Sequence, residues 1–394
     1  MDEFREIFGL ESTFKNGGDR HLVTALRPPA RAQRPNPKIP TAMPSSPTTS
    51  QTGELPRREF LQFLGAGALG LALSMRGARA EAASGTTGLP TFDLSPGPKK
   101  MRGVFPIGST PFTPDDKLDL ESLVAQVSFC NRSGVHGFAW PQGASNWSAL
   151  AEAERMAGTE AILATGKGGT TTLAIGVQGA DMGAVTRYAH QAARLGADAI
   201  ISMPPAKVTD EKVILDYYQQ VGRITDLPLF VQSQGSMSVD LVVEIFKTVP
   251  TMRQVKDEAG VALDRVAELR SRTGDQLRVF SGHGVQTMIT EMEMGFVGHC
   301  PYTGLADIYS AAYDLWHSGR RQEGFDMFGR ILAFGSLGVP DQNRLLIARG
   351  VFKPNVRFRP APAVTGPGAP RGRPLGDQGV RDGLDHYLKP YLKA

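Results

Sequence analysis

The chain has 394 residues, of which 41% are hydrophobic and 21% are charged, and its formal net charge at pH 7 is +4. This length exceeds one small domain and suits a single large barrel with additions. The basic residues are scattered, so the composition lacks the clustered positive charge of a nucleic-acid-binding protein. Cys130 and Cys300 are the two cysteines of the sequence. They exclude a disulfide framework and have no metal-ligand spacing, and we expect both to pack as small apolar side chains.

The first 56 residues are rich in proline, serine, threonine and arginine, and we expect them to be disordered. Export signals normally lie close to the start of a chain, and the next segment resembles one. Met43 is therefore a candidate initiator. The start of the gene would then be assigned too far upstream, at residue 1.

Residues 57–80 have the parts of an export signal: an arginine pair at 57–58, a short apolar run at 63–75 and an Ala-x-Ala sequence that ends at Ala80. The arginine pair is typical of a twin-arginine signal, which exports folded proteins. The apolar run is too short to span a bilayer permanently. We expect cleavage after Ala80, a linker over 81–100 and a periplasmic mature protein.

Short apolar runs then alternate with amphipathic helical patterns along the chain. Eight strands are predicted at 103–109, 137–140, 171–177, 197–202, 228–232, 252–256, 277–281 and 297–300. Helices are predicted at 118–133, 149–165, 182–195, 210–225, 239–249, 262–271, 285–294 and 305–317. This alternation predicts an α/β fold, the (β/α)₈ TIM barrel. An open doubly wound sheet is the alternative, but no G-x-G-x-x-G follows the first strand.

We place the barrel at 101–304, and its eighth helix together with a C-terminal helical extension at 305–394. Further helices are predicted in this extension at 321–334, 342–349 and 382–392, the last after a proline- and glycine-rich stretch. Such an extension usually packs on the outside of a barrel or at a subunit contact.

Residues 252–260 read Met-Arg-Gln-Val-Lys-Asp-Glu-Ala-Gly, which predicts a buried strand with Lys256 at its end and a break at Gly260. Burial disfavours the ammonium form of a lysine and leaves a nucleophilic amine. Schiff-base chemistry on a ketone requires such an amine. The alternative, which is commoner for any single lysine, is a stem packed at the strand edge with its head in water.

Five segments together resemble the dihydrodipicolinate synthase and N-acetylneuraminate lyase superfamily of class I aldolases. They are the Thr-Pro-Phe that ends residues 103–112, the helix and strand of residues 192–201, the Val-Lys-Asp-Glu-Ala-Gly of residues 255–260, Phe280-Ser281-Gly282, and Gly295-Phe296-Val297-Gly298. The resemblance implies a TIM barrel that forms homodimers or homotetramers. It also implies a site at the C-terminal mouth of the barrel, where Lys256 forms an imine with a 2-oxo acid.

The chain departs from this family after the second strand. The family has Gly-Thr-Thr-Gly-Glu there, which holds the substrate carboxylate, whereas this sequence has Gln-Gly-Ala-Ser-Asn at 142–146. A turn of small residues remains, and the Ser145 hydroxyl can donate. Gly143, Ala144 and Ser145 are therefore candidates for substrate binding, and a plain turn is the alternative.

A second departure follows the fourth strand. The family usually has Pro-Tyr-Tyr there, and its tyrosine shuttles protons, but this chain has Pro204-Pro205-Ala206. Neither Pro205 nor Ala206 has an ionisable group. Tyr217 and Tyr218 lie in the next helix, where packing is the expected role. The chain is therefore not a typical dihydrodipicolinate synthase.

Other strand ends offer substitutes for the missing groups. His283 follows the seventh strand and is the candidate proton carrier, because a histidine is suited to proton transfer near neutral pH. Gln232, Gly298, His299 and Tyr302 are candidates for substrate binding. The sequence has no H-x-x-x-H or D-x-D metal grouping and no phosphate loop, and we expect no cofactor and no metal.

These features predict an exported Schiff-base lyase that acts on pyruvate or another 2-oxo acid. The reaction would be aldol cleavage or condensation, or dehydration of a keto-deoxy sugar acid. The alternative is an exported binding or structural protein on an aldolase barrel that has lost catalysis. A small-molecule substrate is the expected partner, with no nucleic acid and no permanent membrane span.

Overall fold

The computed structural model describes residues 101–283, 287–338, 342–360 and 375–392. The predicted disordered segment, export signal and linker lie outside these residues. The described strands are β1 Gly103–Val104, β2 Gly137–Trp140, β3 Thr172–Gly176, β4 Ala199–Ser202, β5 Leu229–Ser233, β6 Met252–Asp257, β7 Arg278–Ser281 and β8 Gly298–His299.

These strands form one parallel sheet in which each strand from β2 to β8 pairs with the next, and β8 pairs with β1. A bridge between Ile107, three residues beyond β1, and Ala139 on β2 joins the two edges of the sheet. There, the Gly108 N–H donates to Ala139 O at 3.0 Å and the Ala139 N–H donates to Pro106 O at 3.0 Å. The ring of strands is thereby nearly closed, and the predicted TIM barrel is confirmed.

A helix follows each strand. The helices are α1 Leu120–Ser133, α2 Glu152–Gly166, α3 Met182–Arg194, α4 Glu211–Val221, α5 Val239–Thr248, α6 Ala262–Thr273, α7 Met288–Met294 and α8 Ala306–His317. In several of them the side chain just before the first turn accepts a backbone N–H hydrogen bond, as the sequence signals for helix starts require. Asp119, Asp181, Asp210 and Ser238 do so for α1, α3, α4 and α5.

The C-terminal extension contains α9 Arg321–Gly335, α10 Gln342–Ala348 and α11 Asp377–Gly383, followed by short turns Leu384–Leu388 and Lys389–Tyr391. The last helix begins at Asp377 rather than at residue 382, where the sequence predicts its start. Val380, Leu384 and Leu388 explain the difference, because their spacing of four residues gives a buried apolar stripe that reaches back into the glycine-containing segment. Within the described ranges, no helix is long and apolar enough to cross a membrane.

The inside of the barrel is filled by side chains from alternate positions of the strands. Phe105, Phe230 and Phe280 form its aromatic layer, with ring centroids between 4.8 and 6.3 Å apart. Side chains at the intervening positions pack outward against the helices. All three phenylalanine rings are fully buried in the interior cluster, so the barrel is packed below the mouth.

Helix α8 packs on the barrel through a cluster of aromatic and histidine rings centred on Tyr313. The Tyr313 hydroxyl donates to Val297 O at 2.8 Å, and its ring lies 4.2 Å from the ring of His317 and 5.2 Å from that of His136. His136 Nε2 is 2.9 Å from Asp314 Oδ1. The pKa of His317 is lowered to about 4. Burial is the largest cause, the neighbours His299, Arg102 and His136 add to the lowering, and Asp314 opposes it.

We expect stability to fall between pH 6.5 and 4 partly through His317. In this window the unfolded chain binds a proton at this residue, whereas the folded chain, with its lowered pKa, does not. The free energy of unfolding of His317→Gln should therefore fall less steeply from pH 7 to 4.5, which urea unfolding at each pH measures. His190→Gln, at an exposed position, is the control and should keep the wild-type slope. An unchanged slope in His317→Gln would contradict the prediction.

Candidate active site

Lys256 lies near the C-terminal end of β6, on the inward side of the barrel wall. Its neighbours across the sheet are Gln232 on β5 and Phe280 on β7. The residue is only 5% exposed. Inward direction follows from strand geometry, because Lys256 is in register with Phe280, whose ring belongs to the interior cluster. The structure thus gives Lys256 the buried strand-end position that the sequence predicts.

The Lys256 ammonium group is paired with a carboxylate, that of Glu258. Lys256 Nζ is 2.8 Å from Glu258 Oε1. The other oxygen, Oε2, accepts hydrogen bonds from Gln232 Nε2 and, at 3.2 Å, from Gln234 Nε2. Two neutral amides from the end of β5 therefore hold one carboxylate oxygen, which leaves the other oxygen directed at the lysine.

Glu258 fits at the mouth because position 282 is a glycine. A Cβ atom added to Gly282 would lie 2.2 Å from Glu258 Cγ and 2.3 Å from its Oε1. The backbone of Glu258 continues the strand ladder by one step, since its N–H donates to Ser233 O at 2.9 Å. The carboxylate is thus placed by the strand and by the gap at the end of β7.

Cys300 lies close enough to this pair to interact with it electrostatically. Burial raises the pKa of the Cys300 thiol to about 12, with a smaller lowering effect from Lys256 and a smaller raising effect from Glu258. The thiol is therefore neutral at physiological pH. It contributes a small uncharged surface beside the ion pair, in agreement with the packing role expected from the sequence.

Asp257 and Ser281, which follow Lys256 and Phe280 on their strands, point out of the barrel. Asp257 accepts from Arg265 Nε at 2.9 Å and from Arg265 Nη2 at 3.1 Å, which ties β6 to α6. Ser281 Oγ donates to Glu291 on α7 at 2.9 Å. Asp257 and Ser281 share one register row with the last residue of β8, His299.

His299 is fully buried in this outward row. Its Nδ1 is 3.0 Å from Glu291 Oε2, and its ring contacts the ring of Tyr313 on α8. Burial raises the pKa of Glu291, but the hydrogen bond and charge of His299, together with hydrogen bonds from Thr287 and Ser281, lower it overall. The barrel wall therefore separates the His299 ring from Lys256, although the sequence predicts this histidine to be at the substrate.

The remaining predicted residues near strands seven and eight lie around the mouth. Gly298 faces inward, and a Cβ there would lie 2.3 Å from the Phe280 ring and 2.4 Å from Gly103 O. His283 is exposed, and its backbone N–H donates to Ser281 Oγ at 3.3 Å. Tyr302 is also exposed, at 55%. The structure brings Gln232 to Lys256 and leaves His283 and Tyr302 at the rim.

The turn after β2 is built around Ser145, which is buried. Its hydroxyl donates to Gly108 O at 2.6 Å and accepts from the Gln142 N–H at 3.0 Å. These bonds engage the hydroxyl that the sequence offers to a substrate. Gly143 and Ala144 are exposed, and within the described chain neither backbone N–H donates a hydrogen bond. The backbone N–H groups of Gly143 and Ala144 thus remain as donors at this turn, whereas the Ser145 hydroxyl is used in hydrogen bonds that hold the turn together.

The two tyrosines of α4 bind the ends of the strands. The Tyr217 hydroxyl is 2.6 Å from Ser202 Oγ, and the Tyr218 hydroxyl lies 3.1 Å from Ser202 O and 3.0 Å from Gln232 O. Burial raises the pKa of both tyrosines, that of Tyr218 well above its ordinary value. These hydrogen bonds join α4 to β4 and β5, in agreement with the packing role expected for both tyrosines from the sequence.

Residues 100–324 match the model of the dihydrodipicolinate synthetase family. The chain belongs to this family. It is 23% identical over 240 residues to an uncharacterised DapA-like lyase of Thermococcus onnurineus (strain NA1), covering 57% of this chain and 79% of that protein. It is 23% identical over 235 residues to the L-2-keto-3-deoxyarabonate dehydratase of Azospirillum brasilense, covering 57% and 76%. Among solved structures, dihydrodipicolinate synthase from Rhodopseudomonas palustris superimposes with a TM-score of 0.62 at 22% identity, covering 75% of this chain and 99% of that one.

Glu258 contacts Lys256, although it is not among the candidate site residues that the sequence suggests. A signal was present, because residues two apart on a strand point to the same side, so a buried Lys256 places Glu258 beside it. Among the described residues, no group of histidine, cysteine, aspartate or glutamate side chains is arranged to hold a metal ion.

A segment of the extension ties together two loops at the mouth. The Phe112 N–H donates to Arg357 O at 2.8 Å, and the Arg357 N–H donates back at 2.7 Å. The Arg359 guanidinium donates to both carboxylate oxygens of Glu154, at 2.7 and 2.8 Å, and to Ala149 O at 2.8 Å. Its hydrogen bonds lower the pKa of Glu154. Asn146 Nδ2 donates to Arg359 O at 3.3 Å, so the turn after β2 is fixed to this segment.

We expect Arg359→Ala to loosen that turn. Loss of the bidentate bond to Glu154 and the bond to Ala149 O should lower the local opening free energy by about 1.4 kcal/mol, which corresponds to roughly tenfold faster exchange of the amide hydrogens of residues 146–150. Hydrogen-exchange mass spectrometry measures this rate. Arg359→Lys should recover only part of the protection, because an ammonium cannot reproduce the planar fork.

Arg320→Ala is the matched control, since it removes an exposed arginine that pairs with Glu323 in the extension. It should leave exchange at 146–150 unchanged. Wild-type exchange in Arg359→Ala would contradict the inferred fixing of the turn.

Proposed function

We propose that this chain is a Schiff-base-forming lyase in which the Lys256 amine attacks the ketone of pyruvate or another 2-oxo acid. The bond change would be aldol cleavage or condensation, or dehydration of a keto-deoxy sugar acid. Membership of a family of lyases and aldolases supports the reaction class. The observation that carries the proposal is the position of Lys256, buried at the mouth end of β6 above the buried phenylalanine layer.

The surroundings of Lys256 suit an imine. A water-poor site limits hydrolysis of the iminium and strengthens the electrostatic interactions within it. The iminium then withdraws electrons from the neighbouring carbon of the substrate, as class I aldolase chemistry requires. Phe280 and Cys300 provide uncharged walls near Lys256. Among the described residues, Glu258 is the anionic group in contact with Lys256.

A 2-oxo acid also needs a partner for its carboxylate. Gly143 and Ala144 are the proposed donors, through the two backbone N–H groups that the turn does not use. The relative named L-2-keto-3-deoxyarabonate dehydratase supports a keto-deoxy sugar acid as the kind of substrate. His283 and Tyr302, at the rim, are proposed to meet the far end of such an acid.

The rival function is binding without turnover on the same barrel. The absence of the family's tyrosine and the altered turn at 142–146 favour it. It differs from the first proposal in one respect that can be measured, because a binding protein does not need a covalent bond to Lys256. Trapping of an imine therefore decides between the two functions.

We further propose that the protein is exported through the segment 57–80 and assembles as a homodimer or homotetramer. A hydrophobic surface on the extension supports assembly: Phe325 and Leu332 on α9 are 49% and 41% exposed, and Leu337 just after it is 38% exposed. Exposed large apolar side chains on one helix are typical of subunit contacts.

Borohydride should trap a covalent adduct on Lys256. The full-length chain is incubated with pyruvate or with each of several keto-deoxy sugar acids, reduced, and digested, and the added mass is located by peptide mass spectrometry. Lys256→Ala should give no adduct, because it lacks the nucleophile. Lys247→Ala, which removes an exposed lysine on α5, should label as the wild type does. If no acid labels Lys256 in the wild type, the Schiff-base function is wrong and binding without turnover replaces it.

A further inference from the structure

We propose that Glu258 is the catalytic acid–base residue of this site and moves the proton at Lys256 Nζ during imine formation. The proposal rests on the imine chemistry proposed for Lys256. In the related family a tyrosine that follows the fourth strand is expected to move protons. Here we assign proton transfer to Glu258, which directly follows β6, the strand of Lys256. The starting observation is the distance of 2.8 Å between Lys256 Nζ and Glu258 Oε1.

An ammonium group has no lone pair, so Lys256 must release a proton before it attacks a ketone. Glu258 Oε1 is within hydrogen-bond reach of that proton, which is the geometric requirement for a general base. Gln232 and Gln234 hold the opposite oxygen, Oε2, so the carboxylate has a fixed orientation. Glu258 is also partly exposed at the mouth, where the substrate enters.

Four other ionisable residues near the ends of strands four, five and eight do not suit this role. The hydroxyls of Tyr217 and Tyr218 are engaged at Ser202, and burial raises the pKa of each. Burial also raises the pKa of Cys300 to about 12, so its thiol is a poor base at neutral pH. His299 is paired with a glutamate on the outer side of the barrel wall. Glu258 is the carboxylate that remains at the lysine.

The step balances in protons and charge. Glu258 first takes one proton from the ammonium, and the neutral amine adds to the ketone carbon, which forms a C–N bond and turns the ketone oxygen into a hydroxyl after proton transfer from nitrogen. Protonated Glu258 then gives its proton to this hydroxyl, the C–O bond breaks, and water leaves. Ammonium plus ketone thus become iminium plus water, and Glu258 returns to its carboxylate form beside the positive iminium.

Gly282 provides an independent geometric test, because the carboxylate occupies the space of a missing side chain. In Gly282→Ala the new Cβ would overlap with Glu258 Cγ and Oε1. The glutamate remains in the chain but is displaced from Lys256 Nζ. If proximity to the lysine is the function of Glu258, this variant and Glu258→Gln should have the same defect.

The experiment uses pyruvate, or a keto-deoxy sugar acid selected by trapping, whose ketone oxygen is the heavy isotope. Each cycle of imine formation and hydrolysis replaces that oxygen with one from water. Mass spectrometry of the acid then gives the rate of imine formation without knowledge of the later reaction. The full-length protein is used, and the uncatalysed exchange is subtracted.

Glu258→Gln should lower the exchange rate by about 10²-fold or more, the usual effect of losing a general acid–base. The limb of the pH–rate profile that reports deprotonation of the carboxylate should disappear, a change that a packing role would not cause. Added formate should partly restore exchange in Glu258→Ala, where it replaces the carboxylate, and should not restore it in Lys256→Ala. Glu323→Gln, which removes an exposed carboxylate of the extension, is the control and should exchange as the wild type does.

The outcomes separate this proposal from the function on which it rests. A wild type that shows neither adduct nor exchange overturns the Schiff-base function and this proposal with it. A wild type that exchanges oxygen while Glu258→Gln matches its rate and pH profile overturns only the role of Glu258. Loss of exchange in His283→Gln with full activity in Glu258→Gln would likewise assign the proton transfer to His283 instead.

Discussion

Alternation of side chains along the closed ring of parallel strands is the constraint on which the rest of this structure depends. Each strand has one inward and one outward row, and a shift of one position exchanges the two environments. At the C-terminal ends of β6 and β7, Lys256 and Phe280 face inward, whereas Asp257 and Ser281 face outward. The outward row fastens helices to the barrel, and the inward row forms the floor of the mouth and places Lys256 in it.

The polar side chains of the outward row are paired with groups of opposite charge or with hydrogen-bond partners on the helices. Buried charges are tolerated only when they are paired. Asp257 is paired with Arg265 and His299 with Glu291, so the residues that flank the inward row are held by the helix layer. The residues beside Lys256 and Phe280 on their strands are therefore held from outside the barrel. Substitutions in the outward row are expected to act on the site only through its position.

Much of this arrangement could be predicted from the sequence, because strand length and helical period are local properties. The boundaries of β2 agree with prediction to the residue, and the strand-end position of Lys256 follows from its setting before Gly260. The sequence predicts His299 at the substrate because it lies near the end of the eighth strand, but its neighbour Gly298 faces inward, so alternation directs the histidine outward. The bonds of Ser145 to Gly108 and of Arg359 to Glu154 join residues far apart in sequence, and no local pattern specifies such contacts. Glu258 was missed although its separation of two residues from Lys256 is a strand signal.

Placing a carboxylate next to the lysine also changes how the site accepts an acid. In the resting protein the ammonium and the carboxylate offset each other's charge, which makes the buried pair tolerable. An anionic 2-oxo acid brings a second negative charge, and two carboxylates near one cation repel each other. Transfer of the lysine proton to Glu258 removes this repulsion, since the site then contains a neutral acid, a neutral amine and one anion. The same transfer removes the attraction between the ammonium and the acid, so a bound 2-oxo acid would favour it only where the substrate carboxylate lies nearer to Glu258 than to Lys256 Nζ.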